Sequence, residues 1–370
     1  MEKLKNYLRD LTNISGVSSR EDEVIKYMYK AFSKYSNNVT IDNLGNTICH
    51  FPSPKKNARK VMIFGHTDEV GLIVRYIDEK GFIRFERVGG ANLNVLPGSK
   101  VDLMGEKGLV TGLVGTKSYH FLTAGERGQI PHKDNLYIDI GAFSREEVEE
   151  RGIKVGCFAS YHSEFLELGG TLVCNKSMDN RIACSILLLL AEDLYNLEKP
   201  LEWDVYLIAC VQEEFNIRGI LPAVRRIQPD ASIGVDVTPS CDTPDLNHYA
   251  AVCIDKGPAL TYMNSHGRGT LAGTLPDKRL MDQLEKVSNE EKIPYQREVA
   301  VGVITENGYI LFEELGVPVA NIAIPTRYTH TPIEVVSLKD LDLGEKLIFA
   351  FLKSLREDTT FGKSFMNENQ

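Results

Sequence analysis

An α/β fold, with a central sheet flanked by helices and interrupted by an inserted β-rich domain, is predicted by three features of the sequence. Helical and strand patterns alternate from about Gly169 to the C-terminal region, as a layered α/β domain requires. The first 70 residues carry the same alternation. Between them, from about Gly71 to Glu164, glycines become dense and turn signals recur ("DEKG", "VGG", "LPGS", "GEKG"), which reads as a separate β-rich unit. The expected division is therefore residues 1–70 and 165–370 for the α/β domain and 71–164 for the insertion.

The elements follow in order. "EKLKNYLRDLT" and "SSREDEVIKYMYKAFSKY" place apolar residues at three- and four-residue spacing, and Ser18 with Glu21 fits a capping box for the second helix. Short strands follow at "NVTIDNLGNTICHF" and "ARKVMIFGHTDEVGLIVRYI". One helix, "SREEVEERG", breaks the inserted unit, with Ser144 and Glu147 as a second capping box. Beyond it come a helix "DNRIACSILLLLAEDLYNL", a strand "EWDVYLIACVQ", a helix near "GILPAVRRI" and a strand "ASIGVDV". A helix "DKRLMDQLEKVSNEE", a strand "PYQREVA", a helix "GYILFEELG", a strand "VPVANIAI" and a closing helix "LKDLDLGEKLIFAFLKSLRED" complete the chain.

Polar residues recur just beyond the strands of the α/β domain. His66, Asp68 and Glu69 follow "KVMIF", Glu213 and Glu214 follow "VYLIACVQ", Asp236 follows "SIGV", and His330 follows "VANIAIPTRYT". Asp179 heads the helix "DNRIACSILLLL". In open α/β sheets ligands bind outside the carboxyl ends of the strands, so these residues are expected to meet at one site. Each has an ordinary reading alone: Asp179 as a helix N-cap, His66 as a hydrogen-bonded turn histidine, Asp236 as an Asx-turn residue. Recurrence at one topological position is what favours function. Two imidazoles with several carboxylates suit zinc, cobalt or manganese rather than calcium, which prefers oxygen alone. The remaining histidines, His266 among them, read as loop or surface residues, with His120 in "KSYHFL" the one to watch.

Composition narrows the classes. With 43% hydrophobic and 25% charged residues the chain is an ordinary globular protein, and its length suggests about two domains. A net charge of −9 argues against a nucleic-acid partner, since phosphate binding needs a basic face. The longest apolar run, "IACSILLLLA", is too short to span a bilayer, which takes about 20 residues. Seven widely spaced cysteines without a C-x-x-C pair read as free thiols in a reducing compartment, so a cytoplasmic location is expected. The single tryptophan, Trp203, sits at the start of a predicted buried strand, which disfavours a glycosidase with aromatic sugar platforms.

The segments "GHTDEVGLIV", "NKSMDNRIAC", "VQEEFNIRG", "GVDVTPSCDTPD" and "IPTRYTHTPIEVVSLKDLD" span nearly the whole chain and together resemble metallopeptidase family forty-two, the dinuclear metal aminopeptidases of tetrahedral and glutamyl type. The resemblance implies that the inserted unit is β-barrel-like and used in dimerisation, with dimers building twelve-subunit shells. It implies two divalent ions per subunit: His66 and Asp236 on one, Glu214 and His330 on the other, Asp179 bridging. It further implies that Asp68 orients the site and that Glu213 is the general base. The expected activity is removal of N-terminal residues from small peptides; a deacylase or other amidohydrolase using the same centre is the alternative. Where the family has a glycine-rich stretch with Thr-Asp, this chain reads "VAVGVITENGY", with Glu306 in the aspartate's place.

Overall fold

The computed structural model describes residues 1–266 and 273–363. Helices α1 (Glu2–Thr12) and α2 (Asp22–Phe32) lead to β1 (Val39–Ile41), β2 (Thr47–Phe51) and β3 (Lys60–His66). The inserted region holds β4 (Gly71–Ile77), β5 (Ile83–Val88), β6 (Lys100–Gly105), β7 (Gly108–Gly115), β8 (Tyr137–Asp139), α3 (Arg145–Glu150) and β9 (Phe158–Tyr161). Then come β10 (Leu166–Gly169), β11 (Leu172–Asn175), α4 (Met178–Tyr195), β12 (Asp204–Cys210), α5 (Leu221–Ile227) and β13 (Ala231–Pro239). The last part holds β14 (Ala259–Ser265), β15 (Gly273–Thr274), α6 (Lys278–Glu290), β16 (Gln296–Val301), α7 (Asn307–Ile310), β17 (Val319–Thr326), β18 (Glu334–Ser337) and α8 (Leu338–Ser354).

The main sheet runs β1-β2-β12-β3-β13-β17-β14-β15, with β16 also paired to β14. Its centre, β12, β3, β13 and β17, is parallel, while β2 and β14 flank it antiparallel. Parallel strands buried on both faces should read as continuous apolar runs, and β17, "VANIAIPT", is buried at every position. Helix α4 is apolar nearly all round because it lies inside the structure, between the sheet and α1 and α8. On the opposite face α5 and α7 cover Met62, Phe64 and Ile208. With the four central strands aligned, their C-terminal ends lie at one edge.

Strands β4 to β9 close into a six-stranded barrel in the order β4-β5-β8-β7-β6-β9. It has its own core, including Val74, Phe85, Leu103 and Ile138. Ser144 caps α3 by accepting the Glu147 amide at 3.2 Å, and the Glu147 carboxylate accepts the Phe143 amide at 2.9 Å. A third sheet, β10-β11-β18, pairs Asn175 with Glu334.

Three local expectations change. Ser18 does not cap α2, whose first residue is Asp22; its hydroxyl donates to Asp68 instead, at 2.5 Å. The helix read at "GYILFEELG" is only the four-residue α7, because Glu314 and Gly316 take left-handed backbone and turn the chain. Strands β10, β11, β14, β15 and β18 were not signalled by the sequence pattern; most are short, and their pairing is set by distant segments.

Candidate metal centre and active site

Apart from Asp179, which lies at the start of α4, each expected site residue is delivered by the C-terminal part of a strand or the turn after it. His66 is the last residue of β3, and Asp236 lies in the C-terminal half of β13. Thr67 donates both its amide and its hydroxyl to the Cys210 carbonyl at 2.7 Å, which ties the β3 and β12 exits together. After β12 the backbone turns through Gln212, at φ +58°, before Glu213 and Glu214. Successive strand side chains point to opposite faces, so this turn is what lets two adjacent glutamates face one cavity. His330 follows β17 in a turn of its own, at φ +63°.

Asp179 is not the cap of α4. Its own backbone is non-helical, and the Asn180 side chain accepts the Ala183 amide at 3.3 Å, the bond an N-cap makes. The Asp179 carboxylate is thereby free to face the histidines. One oxygen lies 3.1 Å from His66 Nε2 and the other 3.2 Å from His330 Nε2. His66 Nε2 is also 3.8 Å from Glu213 and 3.9 Å from Asp236, while His330 Nε2 is 3.3 Å from Glu214. These six side chains line a cavity of about 860 Å³ that also reaches Arg87, Phe215 and Tyr309.

The other ring nitrogens are held as well. His66 Nδ1 is 3.1 Å from the Asp68 carbonyl, and His330 Nδ1 is 3.2 Å from the carbonyl of Gly90, a residue that follows barrel strand β5. A donor Nδ1–H toward a carbonyl leaves Nε2 as a lone-pair donor aimed at the cavity. Asp68 stands behind the site rather than on the cavity. Its two oxygens accept the amides of Glu213 and Glu214 at 2.9 and 3.0 Å.

The donor chemistry fits divalent ions. Four carboxylates and two imidazoles meet; among the described residues lining the cavity there is no lysine and Arg87 is the one arginine, while His266, read from the sequence as a loop or surface residue, also lines it. One ligand atom each from His66, Asp179 and Glu214 falls within 4.8 Å of the others, and the same holds for Glu213, Asp236 and Glu306. Burial first, and then neighbouring acids, push the carboxyls of Glu213 and Asp236 well above the ordinary range. Burial opposes charge on His66, yet Asp179 and Asp68 override it and hold its pKa well above the usual imidazole value. A site that crowds anions in this way calls for cations.

Two acids behave differently from the sequence reading. Glu69 turns away to a buried ion pair with Lys176 at 2.7 Å and also accepts the Gly16 amide. Glu306 joins the site from the far side, buried beside Glu213 and Asp236 and accepting the Cys210 thiol at 3.0 Å. In the sequence it showed only as a change in the loop before α7. Its reach to the site depends on where α7 packs against β13 and β17.

The M42 glutamyl aminopeptidase family model matches residues 45–347. SgcX of Escherichia coli (strain K12) is 48% identical over 90% of this chain and 89% of its own. An aminopeptidase structure from the archaeon Desulfurococcus kamchatkensis superposes with a TM-score of 0.90 at 30% identity, covering 96% of each chain. The TET1 peptidase of Pyrococcus horikoshii, described as able to assemble into a tetrahedron or a large octahedral shell, gives 0.84 at 25% identity over 95% of this chain and all of its own. Joined to a sheet whose strand ends carry this histidine and carboxylate set, the extent of these matches places the chain in the M42 family of glutamyl aminopeptidases.

Proposed function

We propose that the chain removes N-terminal residues from small peptides with a dinuclear metal centre and a glutamate general base. His66 and Asp236 would hold one ion, Glu214 and His330 the other, and Asp179 would be shared. Zinc is the first choice for this ligand set, with cobalt or manganese as alternatives. The observation that carries the reading is Asp179, whose two oxygens face two different histidines at 3.1 and 3.2 Å.

When bound, the ions would supply Lewis-acid polarisation of the scissile carbonyl and acidification of the attacking water. The protein's own part is proton handling and orientation. Glu213 takes the proton from water as the new carbon–oxygen bond forms, then passes it to the departing amine as the carbon–nitrogen bond breaks. Asp68 fixes Glu213 and Glu214 through their amides. The acid-lined cavity favours a substrate with a free, positively charged amino terminus.

Metal analysis and paired substrates test this. The expected result is two ions per chain, activity lost to a chelator and restored by zinc, cobalt or manganese, and cleavage of a free aminoacyl amide over its N-acetylated form. Full activity without metal would refute the centre. Preference for the N-acylated substrate would instead establish the deacylase alternative.

We further propose that residues 71–164 form a dimerisation domain and that dimers build a twelve-subunit shell. Leu109, Leu113, Phe121 and Phe143 are exposed on this domain and would be covered in such an interface. A monomer by light scattering under active conditions would count against it. A cytoplasmic location accords with the seven cysteines, all of them free thiols, and no described helix is long and apolar enough to cross a membrane. Neither a nucleic acid nor a membrane is proposed as a partner.

A further inference from the structure

Glu334 is buried at the start of β18, 2% exposed, and does not line the cavity. The register of the small sheet sets it opposite Asn175 of β11. Four residues beyond Asn175 stands Asp179, and four residues before Glu334 stands His330. The pairing of two short strands therefore brings one side chain beneath both loops.

The Glu334 carboxylate spans them. One oxygen accepts the Asp179 amide at 3.0 Å, and the other accepts the His330 amide at 2.5 Å. Neither amide has a partner available in regular structure. Asp179 lies at the non-helical start of α4, where N–H groups are unsatisfied, and His330 occupies left-handed backbone that residues with a Cβ adopt only under constraint. The side chains of these same two residues meet at 3.2 Å in the cavity. No lysine or arginine pairs with Glu334 among the described residues, so its contacts are those of an acceptor for two amides and not of an ion pair.

We propose that Glu334 is a positioning residue that holds Asp179 and His330 in their mutual orientation before any ion arrives. The inference rests on reading those two residues as metal ligands. Without the clamp, the two loops must be ordered by the ion itself, and affinity falls by the cost of that ordering.

The test uses the full-length protein stripped by a chelator and titrated with cobalt(II), whose visible absorption reports coordination. If the native protein takes up no cobalt, the metal reading fails and Glu334 is not at issue. Given native uptake, Glu334→Gln keeps one acceptor and replaces the other with a donor-only amide. It is expected to stay folded without metal, to bind cobalt about 10- to 100-fold more weakly, and to show an altered spectrum. Glu334→Asp, which keeps the carboxylate but shortens its reach, should fall between the two. Native affinity and spectrum in a folded Glu334→Gln overturn the proposal. Should both variants fail to fold, hydrogen exchange on the metal-free native protein decides: protected Asp179 and His330 amides support the clamp, and exchange at open-loop rates overturns it.

Discussion

Asp68 accepts the backbone amide of Glu213 at 2.9 Å, so the general-base candidate is held by a carboxylate that never touches the cavity. Its second oxygen takes the Glu214 amide and the Ser18 hydroxyl. Both glutamates are thus aimed from behind, by a buried group whose charge is kept by these donors. His66, Ser18 and the Glu213 amide hold the Asp68 carboxyl below its usual range against the opposing effect of burial. Asp68→Asn turns one acceptor into a donor facing an N–H. Steady-state kinetics should show kcat reduced about 10- to 100-fold with KM little changed, and unaltered kcat would remove Asp68 from the orienting role.

Adjacent glutamates are expected to separate by function. Glu213→Gln should keep near-normal metal content and lose about 10² to 10⁴ in kcat, the usual share of acid–base catalysis. Glu214→Gln should instead weaken one ion's binding, so that activity partly returns with excess metal. Metal analysis beside kinetics distinguishes them; identical behaviour of the two variants would end the assignment.

The barrel reaches into the site through Gly90. A Cβ on this residue would lie 2.6 Å from His330 Nδ1 and 2.8 Å from Cε1, too close for the imidazole to stay where it is. Gly90→Ala is expected to push His330 away from Asp179 and Glu214 and to lower the affinity of the ion held there about 10-fold or more, while the His66 side is spared. Chelator competition that resolves two classes of ion would read this directly. Equal loss at both sites, or none, contradicts it.

A pH effect is expected far from the chemistry. Glu345 on α8 is 5% exposed; burial first, and then Asp193 of α4, push its carboxyl up to about 8. A raised carboxyl pKa means that the folded state binds a proton the unfolded chain releases near pH 4.5. Its contribution is full below that pH and is lost as pH rises towards 8. Between about pH 6 and about pH 9 the native protein should lose on the order of 2 kcal/mol through this group, and Glu345→Gln should not. Urea unfolding of both proteins at the two pH values checks it; parallel pH dependence would show that Glu345 contributes nothing.

What the sequence by itself determined is local in origin. Apolar runs of strand length, each followed by His, Asp or Glu, reflect the burial of a parallel strand on both faces and the solvation of its end, so β3, β12, β13 and β17 and the acids beyond them were legible. The glycine-rich, turn-dense texture after Gly71 likewise matches the strands β4 to β9 that close into a barrel. What only the tertiary structure decided depends on registers between distant segments. Glu69 and Asp68 are neighbours with the same side-chain charge, yet one meets Lys176 and the other meets two amides, because β11 and the turn after β12 approach them from different sides. Ser18 left its expected cap for Asp68, and Asn180 took the cap that Asp179 read alone would have made. Glu306, noted in the sequence only as a departure from the family pattern, came to lie beside Glu213 and Asp236, and Glu334 came unannounced to hold two amides behind the site. A carboxylate's role is set by which buried donor or cation lies within about 3 Å, and that partner comes from chain more than a hundred residues away as readily as from four.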